Sequence, residues 1–119
     1  AALFASKYAL DNLCAMVDYN KGQIDGRTNE VMNLEPIQDK WKAFNWHVFV
    51  IDGHDLDQIA DAFRRARETK GKPTMIIANT IKGKGVDFME NDVRWHYGGL
   101  DSDLIARAKD SVERMAGHD

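Results

Sequence analysis

Three short apolar runs separated by stretches of helical period restrict this chain more than any other feature of its sequence. Leu13 to Asp18 is a continuous apolar run closed by an acid, Trp46 to Ile51 is rich in aromatic and β-branched residues, and Thr74 to Ala78 reads Thr-Met-Ile-Ile-Ala. Runs of this length without alternation belong to strands covered on both faces, as in a parallel sheet. Between them, Pro36 suits a first helical turn, and Ile37, Trp41 and Phe44 fall at i, i+4 and i+7, predicting a helix that ends near Asn45. Asp55 and Gln58 form a capping-box pattern ahead of Leu56, Ile59, Ala60, Phe63 and Ala66, predicting a helix to about Thr69 that Lys70-Gly71-Lys72-Pro73 stops. Residues 1 to 10 read as the end of a helix. A last helix opens at Asp101-Ser102, presents Leu104, Ile105, Ala108, Val112 and Met115, and closes at Gly117. The order α-β-α-β-α-β-loop-α predicts an α/β fold, a doubly wound parallel sheet with right-handed crossovers, about three strands and four helices.

Composition narrows the function classes. A chain of 119 residues buries roughly 65% of its unfolded surface, enough for one modest core, so a single domain over 1–119 is expected. Sixteen Lys and Arg against 19 Asp and Glu leave a net charge of -3 with no basic cluster, which argues against nucleic acid as a partner. No apolar stretch approaches the roughly 18 residues of a membrane span. Ala1 to Leu10 is broken by Lys7 and reads poorly as a secretory signal. Cys14 is the only cysteine; within the first apolar run it is expected to be a buried, inert thiol, and a cytoplasmic setting follows as the default.

Ligands of doubly wound sheets bind beyond the carboxyl ends of the strands, which directs attention to Tyr19–Glu35, Asp52–Asp55 and Asn79–Gly99. Asp18-Tyr19-Asn20-Lys21-Gly22-Gln23-Ile24-Asp25-Gly26 has the composition of an ordinary turn. It also offers a hard cation two neighbouring oxygens, the Asn20 side-chain amide and the Gly22 main-chain carbonyl, and Mg²⁺ takes only a few oxygens from protein when phosphate and water supply the rest. Lys82-Gly83-Lys84-Gly85 lacks the spacing of a Walker A loop and reads alone as a mobile loop with solvated lysines. His96 stands between aromatics in Trp95-His96-Tyr97; such a residue either packs or transfers protons. His54, between Asp52 and Asp55, either orders a turn or touches a ligand. His47 and His118 belong to no motif. Trp41, Phe44, Trp46, Phe49 and Phe63 are expected in the core.

Taken jointly, these strings go further. Leu10-Asp11-Asn12-Leu13, Val17-Asp18-Tyr19-Asn20, Gln23-Ile24-Asp25-Gly26, Phe44-Asn45-Trp46, Asp52-Gly53-His54-Asp55, Lys72-Pro73-Thr74, Lys82-Gly83-Lys84-Gly85, Phe88-Met89-Glu90 and Trp95-His96 follow one another without large gaps. The chain resembles the later part of the diphosphate-binding domain of transketolase, above all the two-chain type with a separate N-terminal subunit. The resemblance implies a thiamine diphosphate-binding fold and a cofactor diphosphate anchored by Mg²⁺. Asn20 matches the metal-binding amide, Gly22 the residue whose carbonyl ligates the metal, Ile24 the apolar residue beside the cofactor, and His96 the histidine facing the diphosphate and substrate channel. It implies transfer of a two-carbon ketol unit from a ketose phosphate to an aldose phosphate.

The departures carry expectations of their own. The family's upstream Gly-Asp-Gly, source of the first metal carboxylate, precedes the Asn turn and is not in this sequence, nor is the acid of the pyrimidine-binding domain. Gly98 and Gly99 follow Tyr97 where the family has glycine and a basic residue directly after the histidine. The expectation is a domain truncated at its start, inactive alone, working in a homo- or hetero-oligomer with an upstream segment and a pyrimidine-binding domain or subunit. Other thiamine diphosphate enzymes, such as deoxyxylulose-phosphate synthases or dehydrogenase E1 components, share the Asn turn but fit the Trp95-His96 and Asp52-Gly53-His54-Asp55 strings less well. A non-catalytic interaction or structural module is the reading from another class.

Overall fold

The computed structural model describes residues 1–117, so His118 lies outside the described residues. The elements are α1 (Ala2–Lys7), β1 (Cys14–Tyr19), β2 (Gly22–Gln23), β3 (Gly26–Arg27), α2 (Thr28–Val31), α3 (Ile37–Ala43), β4 (His47–Asp52), α4 (Leu56–Glu68), β5 (Thr74–Asn79), a 3₁₀ turn (Val93–His96) and α5 (Ser102–Ala116). They fall into two compact units. One comprises Ala1–Tyr19 with Leu34–Thr80, the other Asn20–Asn33 with the chain from Ile81 on.

The first unit is a three-stranded parallel sheet in the order β1-β5-β4. Cys14 and His47 both stand opposite Thr74, and Tyr19 and Asp52 both stand opposite Asn79, so the carboxyl ends are level. The last strand in sequence is the central one, and it alone is buried on both faces: Met75, Ile76, Ile77 and Ala78 are all buried. On one face Phe49, Ile51, Ile76 and Ala78 pack on Ala62, Ala66 and Ile59 of α4. On the other, Tyr19, Trp46, Met75 and Ile77 pack with Ala5 of α1, and with Ile37 and Trp41 of α3. Helices on both faces of a parallel sheet make the doubly wound α/β arrangement that the alternation predicts.

Several expectations are corrected here. β1 is an edge strand and not buried on both faces: Cys14, Met16 and Asp18 are exposed, because α4 reaches across β4 and β5 only. The Cys14 thiol is therefore accessible, and partial desolvation pushes its pKa up, away from thiolate reactivity. Trp46 and Phe49 are core and Trp41 is half-buried, whereas Phe44 and Phe63 are exposed. The buried line of α4 is Ile59, Ala62 and Ala66; small residues let the helix approach the sheet, and Leu56 and Phe63 are left outside. In α5, Ser111 is buried while Ile105, Val112 and Met115 are exposed. Both long loops hold structure, a β2-β3 hairpin with a short helix in the first and the 3₁₀ turn in the second.

Local signals end the elements. Asn45 at φ +63° terminates α3 in the left-handed region that asparagine tolerates. The Asp55 carboxylate caps α4, accepting from the Asp57 and Gln58 amides at 3.0 Å each, and its other oxygen takes the Gln58 side chain at 2.8 Å. His54 sits in the same turn, its amide donating to the Asp52 carboxylate at 2.9 Å.

The Gln58 amide and side chain, followed by the Asp57 amide, hold the Asp55 carboxyl below its ordinary range. A carboxylate with a depressed folded-state pKa stabilises above its unfolded value, about 4, and loses that contribution as pH falls through the folded-state value. Thermal melts should therefore show wild type above Asp55→Ala at pH 7, with the gap closing below about pH 4; a gap unchanged at pH 3 would deny the cap its charge.

Thr74 is 1% exposed and its hydroxyl has no hydrogen-bond partner. A buried orphan hydroxyl costs about 1–3 kcal/mol, so the isosteric Thr74→Val is expected to raise the stability measured by denaturant unfolding by about 1 kcal/mol. A lower midpoint would show that the hydroxyl is satisfied.

Candidate functional site

The second unit begins where the chain leaves β1. Asn20 starts an Asx turn, its side-chain oxygen accepting the Gly22 amide at 2.9 Å. Lys21 holds φ +60° between them, and the Thr28 amide donates to the Lys21 carbonyl at 3.0 Å, closing the base of the hairpin. β2 and β3 pair Gly22 with Arg27 and Gln23 with Gly26, so Ile24 and Asp25 form the tip, where Ile24 is exposed. Gly22 is closely surrounded: a Cβ there would stand 3.2 Å from Val93 Cγ1 and 3.3 Å from Asn20 Oδ1.

The second wall is the loop after β5. It closes on itself, the Asn91 amide donating to the Lys82 carbonyl at 2.9 Å. Gly83, at φ +74°, lies so close to Met89 that a Cβ would meet its carbonyl oxygen at 2.6 Å. The Gly85 amide donates to Glu90 Oε1 at 3.1 Å, and Lys84 Nζ stands 3.7 Å from the same oxygen. The glycines of Lys82-Gly83-Lys84-Gly85 thus serve the loop's own closure. The two lysines separate: Lys84 pairs with Glu90, and Lys82 lines the cleft.

The 3₁₀ turn supplies the last group. Asp92 caps it, accepting the Arg94 amide at 3.0 Å, while the Arg94 guanidinium holds the Asp92 carboxyl below its ordinary range. Val93 and Trp95 are half-buried and Arg94 and His96 exposed, an alternation that turns His96 outward, its ring edge-on to Tyr97 at 4.6 Å.

These parts meet in a cleft of ~250 Å³ lined by Asn20, Gly22, Gln23, Ile24, Lys82, Val93 and His96. All four residues singled out in the sequence, Asn20, Gly22, Ile24 and His96, are brought together. His54 is not among them. Lys82, Gln23 and Val93 join them; for Lys82 the available signal was its position just past the end of β5. Among the described residues four non-glycines have positive φ, and two of them, Lys21 and Asn91, flank this site. Left-handed backbone costs a non-glycine residue roughly 1–2 kcal/mol and collects where geometry is prearranged.

Chemically, the cleft offers neutral oxygens on the hairpin side and a cation with an imidazole on the other. Among the described residues no three His, Cys, Asp or Glu side chains converge on a metal position. Neutral donors suit Mg²⁺ when the negative charge comes from elsewhere, above all from phosphate oxygens, which Lys82 and His96 are suited to meet.

The chain is similar to known proteins. The family described as transketolase, thiamine diphosphate binding domain, matches residues 1–115. The chain is 48% identical over 114 residues to the 6-deoxy-6-sulfo-D-fructose transketolase subunit SqwG of Clostridium sp. (strain MSTE9), a match covering 96% of this chain and 42% of that protein. It is 45% identical over 98 residues to an apulose-4-phosphate transketolase subunit of Phocaeicola vulgatus, covering 82% and 35% respectively. The crystal structure of transketolase from Campylobacter jejuni superposes with a TM-score of 0.86 at 29% identity, over 94% of this chain and 17% of that one. The chain thus spans less than half the length of these relatives. With the family match running over residues 1–115 and the fold superposing on a solved transketolase, the chain belongs to the transketolase family, within its thiamine diphosphate-binding domain.

Proposed function

We propose that this chain provides the diphosphate-holding side of a transketolase that moves a two-carbon ketol unit from a ketose phosphate to an aldose phosphate. The observation that carries the reading is the meeting of Asn20, Gly22, Ile24, Lys82 and His96 in one cleft. Asn20 Oδ1 and the Gly22 carbonyl are the protein's oxygens for Mg²⁺; the Gly22 amide, bonded to Asn20, orients that side chain. Lys82 and His96 meet the anionic oxygens of cofactor and substrate, His96 also being suited to exchange a proton with a sugar hydroxyl. Ile24 gives the cofactor an apolar contact. Thiamine diphosphate, when bound, supplies the carbanion chemistry of the transfer, and the protein's part is position and charge.

Half a metal site with one open wall calls for partners. The carboxylate ligand and the pyrimidine-binding wall come from an upstream segment and a further domain or subunit, which agrees with the relatives being named as transketolase subunits. Those relatives' substrates carry sulfonate or phosphate by name, and an anionic sugar is the class proposed here. We place the enzyme in the cytoplasm.

The test is complementation. The chain mixed with polypeptides carrying the upstream segment and the pyrimidine-binding domain should gain ketol-transfer activity that neither component has alone, and lose it with Asn20→Ala. Activity indifferent to Asn20 would remove the proposal, and a silent mixture would favour a non-catalytic module.

A further inference from the structure

We infer that α5 is a brace that sets His96 in the cleft, with Ser111 and Arg107 as positioning residues. The inference rests on the reading of His96 as a cofactor- and substrate-facing group, and its evidence lies outside the cleft.

Ser111 is 2% exposed in the middle of α5, a polar side chain where the helix would otherwise place an apolar one. Its hydroxyl accepts the Asp87 amide at 2.9 Å, across 24 residues of sequence. One turn on, the Arg114 guanidinium meets the Asp87 carboxylate at 3.0 Å. One turn back, the Arg107 guanidinium lies over the Phe88 ring at 4.6 Å. Three successive turns of one helix thus grip the dipeptide Asp87-Phe88.

Phe88 passes the hold to the 3₁₀ turn. Its ring stands edge-on to Trp95 at 5.5 Å, and its carbonyl accepts the Trp95 indole N–H at 3.1 Å. Trp95 is the half-buried residue directly before exposed His96. With Trp95 held by ring packing and a directed hydrogen bond, the short turn leaves the His96 backbone little freedom. Val93, at the other end of the turn, lines the cleft with His96. No contact along this path from α5 to Trp95 is made by a hairpin residue, so the brace acts first on the wall that carries His96.

That selectivity gives the test. In the ¹⁵N,¹³C-labelled full chain, Ser111→Ala is expected to speed hydrogen exchange at the Asp87 amide by about tenfold or more. It should also shift the Trp95 indole and His96 ring signals while the Gly22, Gln23 and Arg27 amides stay in place. A structural defect with no bearing on His96 would move the Asp87 signal alone, or the hairpin equally, and either result overturns the inference. Should Ser111→Ala not fold, the exposed Arg107→Ala decides: it should shift the same Trp95 and His96 signals, with Arg107→Lys restoring them, and unchanged signals overturn the inference. Inorganic pyrophosphate with Mg²⁺, titrated into both proteins, separates this claim from the one beneath it. Failure of the wild type to respond strikes the reading of the cleft, and the brace is then judged on the ligand-free spectra. A wild-type response weakened several-fold in Ser111→Ala supports it, and equal affinities with unmoved His96 signals refute it.

Discussion

Asn20→Ala is expected to lower the affinity of the assembled enzyme for thiamine diphosphate with Mg²⁺ by about 100-fold or more and to lower ketol transfer in parallel. Loss of a residue that merely orients a metal ligand already costs 10–100-fold as a rule, and Asn20, proposed above as a ligand itself, is also the acceptor of the Gly22 amide. Its hydrogen bond to the Gly22 amide is half-buried and contributes about 1 kcal/mol to stability. Binding should thus fall far more than stability. Asn20→Asp keeps an oxygen that can accept the Gly22 amide and is expected to recover most of the metal affinity. Calorimetric titration of the assembled enzyme, with thermal melts of the same samples, measures both quantities. An Asn20→Ala variant that binds the Mg²⁺ cofactor like wild type would remove the hairpin from the metal site.

Gly53→Ala is expected to destabilise the sheet by about 3 kcal/mol, the upper end of what overpacking costs. A Cβ at Gly53 would lie 2.4 Å from Thr80 Cγ2, 3.0 Å from Ala78 Cβ and 3.1 Å from the Asn79 carbonyl oxygen. The Gly53 amide donates to that carbonyl at 2.8 Å, so the backbone cannot retreat without losing the bond that closes β4 onto β5. Thr80 cannot simply turn its methyl away, because its hydroxyl is held by the Asp18 carboxylate. Thr80→Ser retains the hydroxyl and deletes the methyl, so Gly53→Ala should cost less than half as much in that background. Denaturant unfolding of the four proteins gives the coupling energy, and an equal cost in both backgrounds would show that the close contact lies elsewhere.

The sequence and the structure divide the work unevenly. Periodicity located every strand of the sheet within a residue or two, and turn chemistry at Asn45, Asp55, Asp101 and Gly117 marked helix ends, because capping and left-handed turns depend on the residue and its immediate neighbours. The joint order of short motifs identified the family and named Asn20, Gly22, Ile24 and His96. Strand order was another matter. That β5 lies between β1 and β4 depends on which run can be covered on both faces, and Leu13–Asp18 looks as apolar as Thr74–Ala78 until its neighbours are known. The same cause misplaced Cys14, Phe44, Phe63 and the face of α4, since helical spacing gives a stripe but not the surface it meets.

In the site, the sequence could not separate Lys82 from Lys84. One faces the cleft and the other Glu90 because the loop folds back through Gly83 and Gly85, a path fixed by contacts with Met89 and Glu90. Nor does sequence spacing join Ser111 to Asp87 or Trp95 to Phe88. What the chain determined alone was local: element type, ends, and the chemistry each turn carries. What tertiary structure decided was which faces are covered and which distant groups meet, because burial and long-range hydrogen bonds exist only once separate segments are packed together.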